Sequence, residues 1–207
     1  MTIKNVGSIP YDVVLEAKTH TPIWTIDAGK MLDSIHRLSH EGEFTSVIDV
    51  GSGTGALTQL IAQLPYVDEV VGVEPYIQSV IATHPKIKLE KMSFSEYCSH
   101  HSPLPENQCN IMVFLHSAHQ MTDNELYGGI RSTMPEFLII LDPNPEWVDH
   151  ENGKVFDPNA IRYRDVVDFR LNLLGFGYEL QHSSKYYWFE HDYLREIAVF
   201  ALNKSAM

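Results

Sequence analysis

The chain has 207 residues, of which 44% are hydrophobic and 20% are charged. This length corresponds to one domain, or one domain with a small cap, and its apolar content can fill a core, which excludes wholesale disorder. Fifteen Lys and Arg residues stand against 27 Asp and Glu residues, and the net charge of −12 argues against a broad phosphate-binding surface, so we expect no nucleic-acid partner.

Cysteine content and hydropathy indicate the compartment. Cys98 and Cys109 are too few for a disulfide framework. The longest apolar runs have about five residues, whereas a membrane span needs roughly 20. The first residues lead into no apolar signal-peptide core. We therefore expect a cytoplasmic protein with no membrane partner.

The first 44 residues are predicted to form a helical cap or lid ahead of a domain over residues 45–207. Apolar residues recur at helical spacing after Pro22, which favours the first turn of a helix. Packing against a sheet explains this pattern equally well. Two aromatic residues of the segment, Tyr11 and Trp24, are hypothetical contacts to a substrate, with plain packing as the alternative.

Strand-like and helix-like segments alternate along the rest of the chain. This alternation predicts an α/β fold with βαβ units and a doubly wound parallel sheet, and the short connection before the last strand predicts an antiparallel C-terminal hairpin. The predicted strands are 46–50, 69–73, 87–89, 111–115, 137–141, 179–189 and 196–201. The predicted helices are 57–64, 76–83, 123–132 and 160–174.

A glycine loop follows the first predicted strand. Gly51, Gly53 and Gly55 stand at alternate positions, where glycine permits positive φ and lets a ligand approach the backbone. Such folds bind nucleotides at the tip of this strand, although the glycines alone also fit a tight turn. Asp49 is expected to anchor the amides of the loop. Glu74 ends the second strand, where a carboxylate can accept hydrogen bonds from two ribose hydroxyls.

The spacing of the glycines argues against a pyrophosphate ligand. Dinucleotide sites use G-x-G-x-x-G, with a helix N-terminus directed at the pyrophosphate, whereas this loop is G-x-G-x-G. No basic residue lies near Glu74 in the sequence. These features disfavour a nicotinamide-dependent oxidoreductase and favour an adenosyl ligand without phosphates.

Residues 49–55 and 71–75 resemble the class I S-adenosylmethionine-dependent methyltransferases, with weaker matches at 110–116 and 141–143. The resemblance implies a mostly parallel, seven-stranded sheet with helices on both faces and a reversed last strand. It also implies S-adenosyl-L-methionine as the cofactor. By resemblance the cofactor-binding residues are Asp49, Gly51, Ser52, Gly53, Gly55, Glu74, Pro75, Ser93, Phe94 and Leu115.

Two departures from the family pattern stand out. Ser93 occupies the place where the family commonly has an acid that reads the adenine amino group. Residues 133–136 replace a glycine pair that usually precedes the fifth strand. The first departure affects the expected contacts to the adenine. The second affects the turn before the fifth strand more than the chemistry.

Methyl transfer from a sulfonium is an in-line displacement, so the protein must align the acceptor and in some cases remove a proton. The acceptor is expected at the tip of the fourth strand, where His116 and His119 are candidate catalytic bases. For each histidine the alternative is a structural role, in which it caps the following helix or hydrogen-bonds to a backbone carbonyl. His119 is preferred, because His116 is expected to be held at the strand end.

No metal site is predicted. Asp142, Asn144 and His116 suggest magnesium at the strand ends, but magnesium prefers oxygen ligands and a histidine stands where an acid is expected. A second group of possible ligands lacks a standard zinc spacing and is interpreted as a Ser/Pro-rich surface loop: Cys98, His100, His101 and Cys109.

The sequence therefore predicts an S-adenosylmethionine-dependent methyltransferase that moves a methyl group to an oxygen or nitrogen of a small-molecule acceptor. Methylation of a protein or peptide is an alternative that length and charge do not separate from it. A non-catalytic S-adenosylmethionine-binding subunit is a further alternative, because cofactor binding alone does not establish turnover.

Overall fold

The structure, a computed structural model, describes residues 22–39, 43–76, 82–105, 108–143, 160–188 and 193–204. The helices in these ranges are α1 Pro22–Leu38, α2 Ala56–Ala62, α3 Phe94–His100, α4 Asp123–Thr133 and α5 Val166–Leu174, with a 3-10 turn at Ala118–Gln120. The strands are β1 Thr45–Val50, β2 Glu69–Val73, β3 Ile87–Glu90, β4 Cys109–Leu115, β5 Phe137–Pro143, β6 Tyr178–Trp188 and β7 Tyr193–Leu202.

The described strands form one seven-stranded sheet in the order β3-β2-β1-β4-β5-β7-β6. Strands β1 to β5 are parallel, and β7 runs antiparallel to both β5 and β6. This arrangement confirms the predicted fold class and the C-terminal hairpin. The chain switches direction across the sheet between β1 and β4, and open α/β sheets bind ligands at the carboxyl ends of the strands beside such a switch.

Helices cover both faces of the sheet. On one face α3, α4 and α5 pack around Phe114 and Phe200, and on the other α1 and α2 pack around Ile111 and Ile139. Burial on both faces explains the near-continuous apolar runs of the central strands. None of the described helices is long and apolar enough to cross a membrane.

Helix α1 begins at Pro22, as predicted, and packs on the sheet through Met31, Leu32 and Ile35. The packing interpretation therefore applies to this part of the predicted cap. Tyr11 lies outside the described residues. Trp24 lies in α1, but its side chain is also outside what the structure describes, so the roles of both residues and the lid stay predictions.

The interpretation of Cys98 and His100 as part of a surface loop is wrong, because both lie in α3. A capping box starts this helix. The Ser93 hydroxyl accepts the Glu96 N–H at 3.3 Å, and the Glu96 carboxylate accepts the Ser93 N–H at 2.8 Å. The sequence gives little sign of this helix, because its seven residues show no long apolar period.

The start of one other predicted helix differs from the structure, and a further predicted helix is not tested. The helix predicted over 160–174 begins only at Val166, because the Asp165 carboxylate caps it by accepting the Asp168 N–H at 2.8 Å. The helix predicted over 76–83 falls mostly on residues 77–81, which lie outside the described residues.

Candidate functional site

The glycine loop connects β1 to α2 with three residues in the left-handed region, Gly51 at φ 75°, Gly53 at φ 56° and Gly55 at φ 84°. A Cβ on Gly51 would lie 2.5 Å from Cβ of Ser117, so only glycine fits against the end of β4 here. The Gly51 N–H donates to the carbonyl of Val73 at 2.9 Å. The loop is thereby fixed against the ends of both β2 and β4.

Glu74 stands directly after β2 and faces this loop. Its carboxylate accepts the N–H of Gly53 at 3.2 Å and the N–H of Tyr76 at 2.9 Å. A carboxylate has about four acceptor sites, so two remain in addition to these amide bonds. The two amide bonds fix the orientation of the carboxylate, so that its remaining acceptor sites face the cavity beside it.

Asp49 is fully buried and accepts the hydroxyl of Thr58 at 2.7 Å. Burial raises the pKa of Asp49 to about 6, against the lowering effect of the Thr58 bond, and the nearby charge of Glu74 raises it further. Its carboxylate thus bonds to α2, whereas the sequence predicts that it anchors the amides of the glycine loop.

A cavity of about 270 Å³ opens between the loop, Glu74 and the end of β4. Five of the predicted cofactor residues line it, namely Gly51, Glu74, Pro75, Ser93 and Phe94. Two carboxylates, those of Glu74 and Glu125, contribute to the lining, and among the described lining residues there is no Lys, Arg or His. This acidic wall disfavours phosphate groups and favours a ligand with positive charge.

The other predicted cofactor residues do not line this cavity. Leu115 is buried in the core beneath α1, because its side chain points to the opposite face of the sheet from Phe114.

The hydroxyl of Ser93 is engaged with Glu96, to which it donates at 2.7 Å. Ser93 therefore borders the cavity while its side chain caps α3.

The residue after β4 has an unusual backbone conformation. His116 has φ 54°, in the left-handed region that few residues other than glycine adopt. Its N–H donates to the carbonyl of Leu141 at 3.0 Å, and its Nε2 lies 2.6 Å from Oδ2 of Asp27 on α1. Backbone strain of this kind often marks functional sites.

Asp27 is the centre of a buried polar cluster that sequence reasoning missed. The Tyr186 hydroxyl of β6 donates to Oδ1 of Asp27, and Nε of Arg195 on β7 lies 3.4 Å from Oδ2. Both Asp27 and Arg195 are fully buried. The Asp27 cluster, comprising Asp27, His116, Tyr186 and Arg195, thus joins α1 to three strands at the carboxyl edge of the sheet.

His119 is held more tightly than His116, which is the reverse of the expectation. Its Nδ1 lies 2.9 Å from Oδ1 of Asp142, and its ring stacks on Tyr163 with centroids 5.3 Å apart. The side chain of His119 is 1% exposed, whereas that of His116 is 15% exposed. Of the two candidate bases, His116 is the more accessible.

Arg164 is a second residue that sequence reasoning missed. Its buried guanidinium donates to the carbonyls of Ala118 at 2.8 Å, Met121 at 2.8 Å and Arg162 at 3.1 Å. Its Nε and Nη2 both donate to Oδ1 of Asp123, at 3.0 and 2.7 Å. These five bonds satisfy every donor of the guanidinium and fix the turn after β4 that borders the cavity.

Of the residues that suggested magnesium, His116 contacts Asp27 and Asp142 contacts His119, while Asn144 lies outside the described residues. Among the described residues there is no set of three or more His, Cys, Asp or Glu side chains that could hold a metal ion. Burial raises the pKa of the Cys98 thiol to about 12 and that of Cys109 to about 11. Thiols with such values are inert at neutral pH.

No protein-family model and no curated protein sequence matches the chain. Solved structures do match it. An S-adenosylmethionine-dependent methyltransferase from Archaeoglobus fulgidus superposes with a TM-score of 0.65 at 13% identity, over 92% of this chain and 99% of that one. The magnesium protoporphyrin IX methyltransferase from Synechocystis, solved with bound S-adenosylhomocysteine, gives 0.60 at 15% identity over 95% of each chain.

The small RNA methyltransferase HEN1 is a further match, with a TM-score of 0.61 at 16% identity, over 87% of this chain and 26% of that one. At these identities the likeness shows the fold. The chain has the Rossmann-like fold of the class I S-adenosylmethionine-dependent methyltransferases.

Proposed function

We propose that this protein binds S-adenosyl-L-methionine and transfers its methyl group to an oxygen or nitrogen of a small-molecule acceptor. One observation carries the proposal. The glycine loop, with its left-handed backbone, and the oriented carboxylate of Glu74 face the same acidic cavity, at the switch point of a methyltransferase fold.

The residues at the cavity fit this cofactor. Glu74 has acceptor sites for two ribose hydroxyls, Gly51 brings bare backbone to the cavity edge, and Pro75 and Phe94 offer apolar surface for a base. The carboxylates of Glu74 and Glu125 favour a sulfonium over a pyrophosphate. Bound S-adenosylmethionine supplies an electrophilic methyl group on its sulfonium sulfur.

The acceptor belongs beside the carboxyl ends of β4 and β5. His116 and His119 remain the candidate bases, and the predicted contacts from Tyr11 and Trp24 in the segment before β1 belong to this proposal. A small acceptor agrees with the net charge of −12, which disfavours binding to RNA. The cytoplasmic location expected from the cysteine content also belongs to this proposal. Because the structure is similar to that of the small RNA methyltransferase HEN1, the test includes RNA as a possible acceptor.

Labelled methyl transfer tests the proposal. The protein is incubated with methyl-labelled S-adenosylmethionine and, separately, with the small-molecule, RNA and protein fractions of a cell extract. We expect label in the small-molecule fraction, reduced in Glu74→Ala and unchanged in the distant surface variant Glu179→Gln.

Other distributions of label would contradict the acceptor class. Ribonuclease-sensitive label would indicate an RNA acceptor, and label in the protein fraction would indicate a protein or peptide acceptor. Binding of S-adenosylhomocysteine without label in any fraction would favour a non-catalytic subunit.

A further inference from the structure

We propose that Glu125, on α4, determines the base specificity of the cofactor site by accepting a hydrogen bond from the exocyclic amino group of the adenine. The inference rests on the proposed function and deepens it, because it names the residue that distinguishes adenine from other purines. Its basis is that the cavity beside the glycine loop is lined by a second oriented carboxylate in addition to that of Glu74.

The carboxylate of Glu125 is held in one orientation by the start of its own helix. Its Oε2 accepts the N–H of Thr122 at 2.9 Å and the hydroxyl of Thr122 at 2.8 Å. The same hydroxyl accepts the N–H of Glu125 at 3.2 Å, which completes the capping box of α4. A side chain that is already held in this way loses little further freedom when it binds a ligand.

The second oxygen of Glu125 is open to a ligand. Oε1 makes no hydrogen bond to any residue that the structure describes, and Glu125 is an exposed residue that lines the cavity. The hydrogen bonds from Thr122 lower the pKa of Glu125 below its usual range, so the carboxylate is ionised at neutral pH. An ionised carboxylate can only accept hydrogen bonds, and Oε1 therefore requires a donor.

The position of Glu125 on α4 places it beside the surface proposed for the base. Residues four apart lie on the same face of a helix, so Glu125 shares a face with Gly129. This face packs on α3, because a Cβ on Gly129 would lie 2.8 Å from Cζ of Phe94. Phe94 and Pro75 are the lining residues that offer apolar surface to the base. Glu125 is thus at the Phe94 side of the cavity.

Adenine is the purine whose edge complements a carboxylate at this place. Position 6 of adenine carries an amino group, which is a donor, whereas a 6-oxopurine carries a carbonyl oxygen there, which a carboxylate repels. Hydroxyl and carboxamide side chains contain both donors and acceptors and do not make this distinction. Among the described lining residues only Glu74 and Glu125 are acceptors alone. The proposed function assigns Glu74 to the ribose, which leaves Glu125 for the base.

Ser93 does not fit the same role, although the resemblance places the adenine-reading acid at its position. Its hydroxyl donates to the carboxylate of Glu96 at 2.7 Å and accepts the Glu96 N–H at 3.3 Å. The Ser93 side chain is therefore committed to the start of α3. The acceptor for the amino group comes from α4 in its place.

Ligands that differ only at position 6 of the base test the inference by calorimetric titration. They are S-adenosylhomocysteine, S-inosylhomocysteine, which has a carbonyl at this position, and the 6-deamino purine analogue, which has a hydrogen. The unaltered protein should bind the first about 10- to 100-fold more tightly than either of the others, as expected for one hydrogen bond to a charged group.

Two substitutions of Glu125 give different expected patterns. In Glu125→Ala the acceptor is lost, and the three ligands should bind with nearly equal affinity. Glu125→Gln retains the capping box, in which glutamine can replace glutamate, so the fold is preserved. Its amide can donate to a carbonyl as well as accept from an amino group. This variant should bind the adenosyl and inosyl ligands with similar affinity and the purine analogue more weakly.

Glu96 provides the matched control. It has the same place in the capping box of α3, where it accepts the Ser93 N–H at 2.8 Å, but it does not line the cavity. Glu96→Ala and Glu96→Gln should leave the preference for the adenosyl ligand unchanged. Urea unfolding of the four variants measures the loss of each capping box separately from the ligand preference.

Failure of the inference and failure of the proposed function give different results. The inference alone is overturned if the unaltered protein binds the three ligands equally, or if its preference persists in Glu125→Ala. An equal loss of affinity for all three ligands in Glu125→Ala would also overturn it, because the residue would then act on the methionine portion or on the fold. Absence of S-adenosylhomocysteine binding to the unaltered protein would overturn the proposed function and the inference together.

Discussion

Two carboxylates at neighbouring strand ends have opposite environments. Glu74 faces the cavity and accepts two backbone N–H groups, whereas Asp49 lies behind the glycine loop and is fully buried. A carboxylate that binds a ligand must be accessible and ionised, while a buried one favours its neutral form. The difference supports the proposed role of Glu74 in ligand binding and leaves Asp49 with the attachment of α2.

The raised pKa of Asp49 predicts a pH-dependent stability. The pKa is 3.8 in the absence of burial and about 6 in the fold. Between these values the folded state holds more protons than the unfolded state, so stability falls as the pH rises through this window. A shift of about two pKa units corresponds to roughly 3 kcal/mol.

Asp49→Asn removes this titration. We expect the unfolding free energy of the variant, relative to the unaltered protein, to increase between about pH 4 and about pH 7 by up to roughly 3 kcal/mol. Urea unfolding at several pH values measures the difference. Asp33→Asn, on the surface of α1, is the control, and a difference for Asp49→Asn that does not vary with pH would contradict the assignment.

At the scale of elements, α3 and α4 meet at Gly129. A Cβ there would lie 2.8 Å from Cζ of Phe94 and 3.0 Å from Sγ of Cys98. We expect Gly129→Ala to destabilise the protein by about 1–3 kcal/mol through overpacking. Thermal or urea unfolding measures the change.

Gly128 provides the matched control, because a Cβ on it would meet nothing within 4 Å. Gly128→Ala should stabilise the same helix by up to about 1 kcal/mol, since alanine loses less backbone entropy on folding. Equal effects of the two substitutions would show that α3 and α4 do not pack as described.

Arg164 connects the turn after β4 to the N-terminus of α4. Arg164→Met leaves the carbonyls of Ala118 and Met121 and the carboxylate of Asp123 without their donors. Breaking a buried charged network by removing one partner costs about 3 kcal/mol. Because this turn borders the cavity, the affinity for S-adenosylhomocysteine should fall as well.

The control for Arg164 is its neighbour Arg162, which also contacts Asp123 but is 45% exposed. Arg162→Met should cost less than about 1 kcal/mol, as is usual for surface ion pairs. Unfolding and calorimetric titration measure both variants, and similar losses in the two would exclude a special role for Arg164.

Some elements could be predicted from sequence because their signal is local. Strand β2 has the predicted bounds 69–73, since a short apolar run flanked by polar residues defines a buried strand. Helix α3 was missed because its seven residues show little periodicity and its start depends on the Ser93 capping box. The start of α5 was misplaced for a similar reason, the cap at Asp165.

At the scale of the molecule, the sheet order decides which residues meet. Glu74 could be predicted because the motif and strand end that identify it are contiguous in sequence. Asp27 could not, because Tyr186, its partner, is 159 residues away and the two meet only when α1 packs beside β6. Long-range contacts of this kind depend on the complete topology and leave no local pattern.

The central claim is that the cavity beside the glycine loop binds the adenosyl cofactor through Glu74. Calorimetric titration with S-adenosylhomocysteine tests it most directly, with a nicotinamide dinucleotide as the comparison ligand. We expect binding of the first ligand alone. Glu74→Ala should weaken it about 100-fold, as expected for two lost hydrogen bonds to a charged group, and Glu179→Gln should leave it unchanged. Binding of the dinucleotide in its place, or equal affinity in Glu74→Ala, would contradict the account.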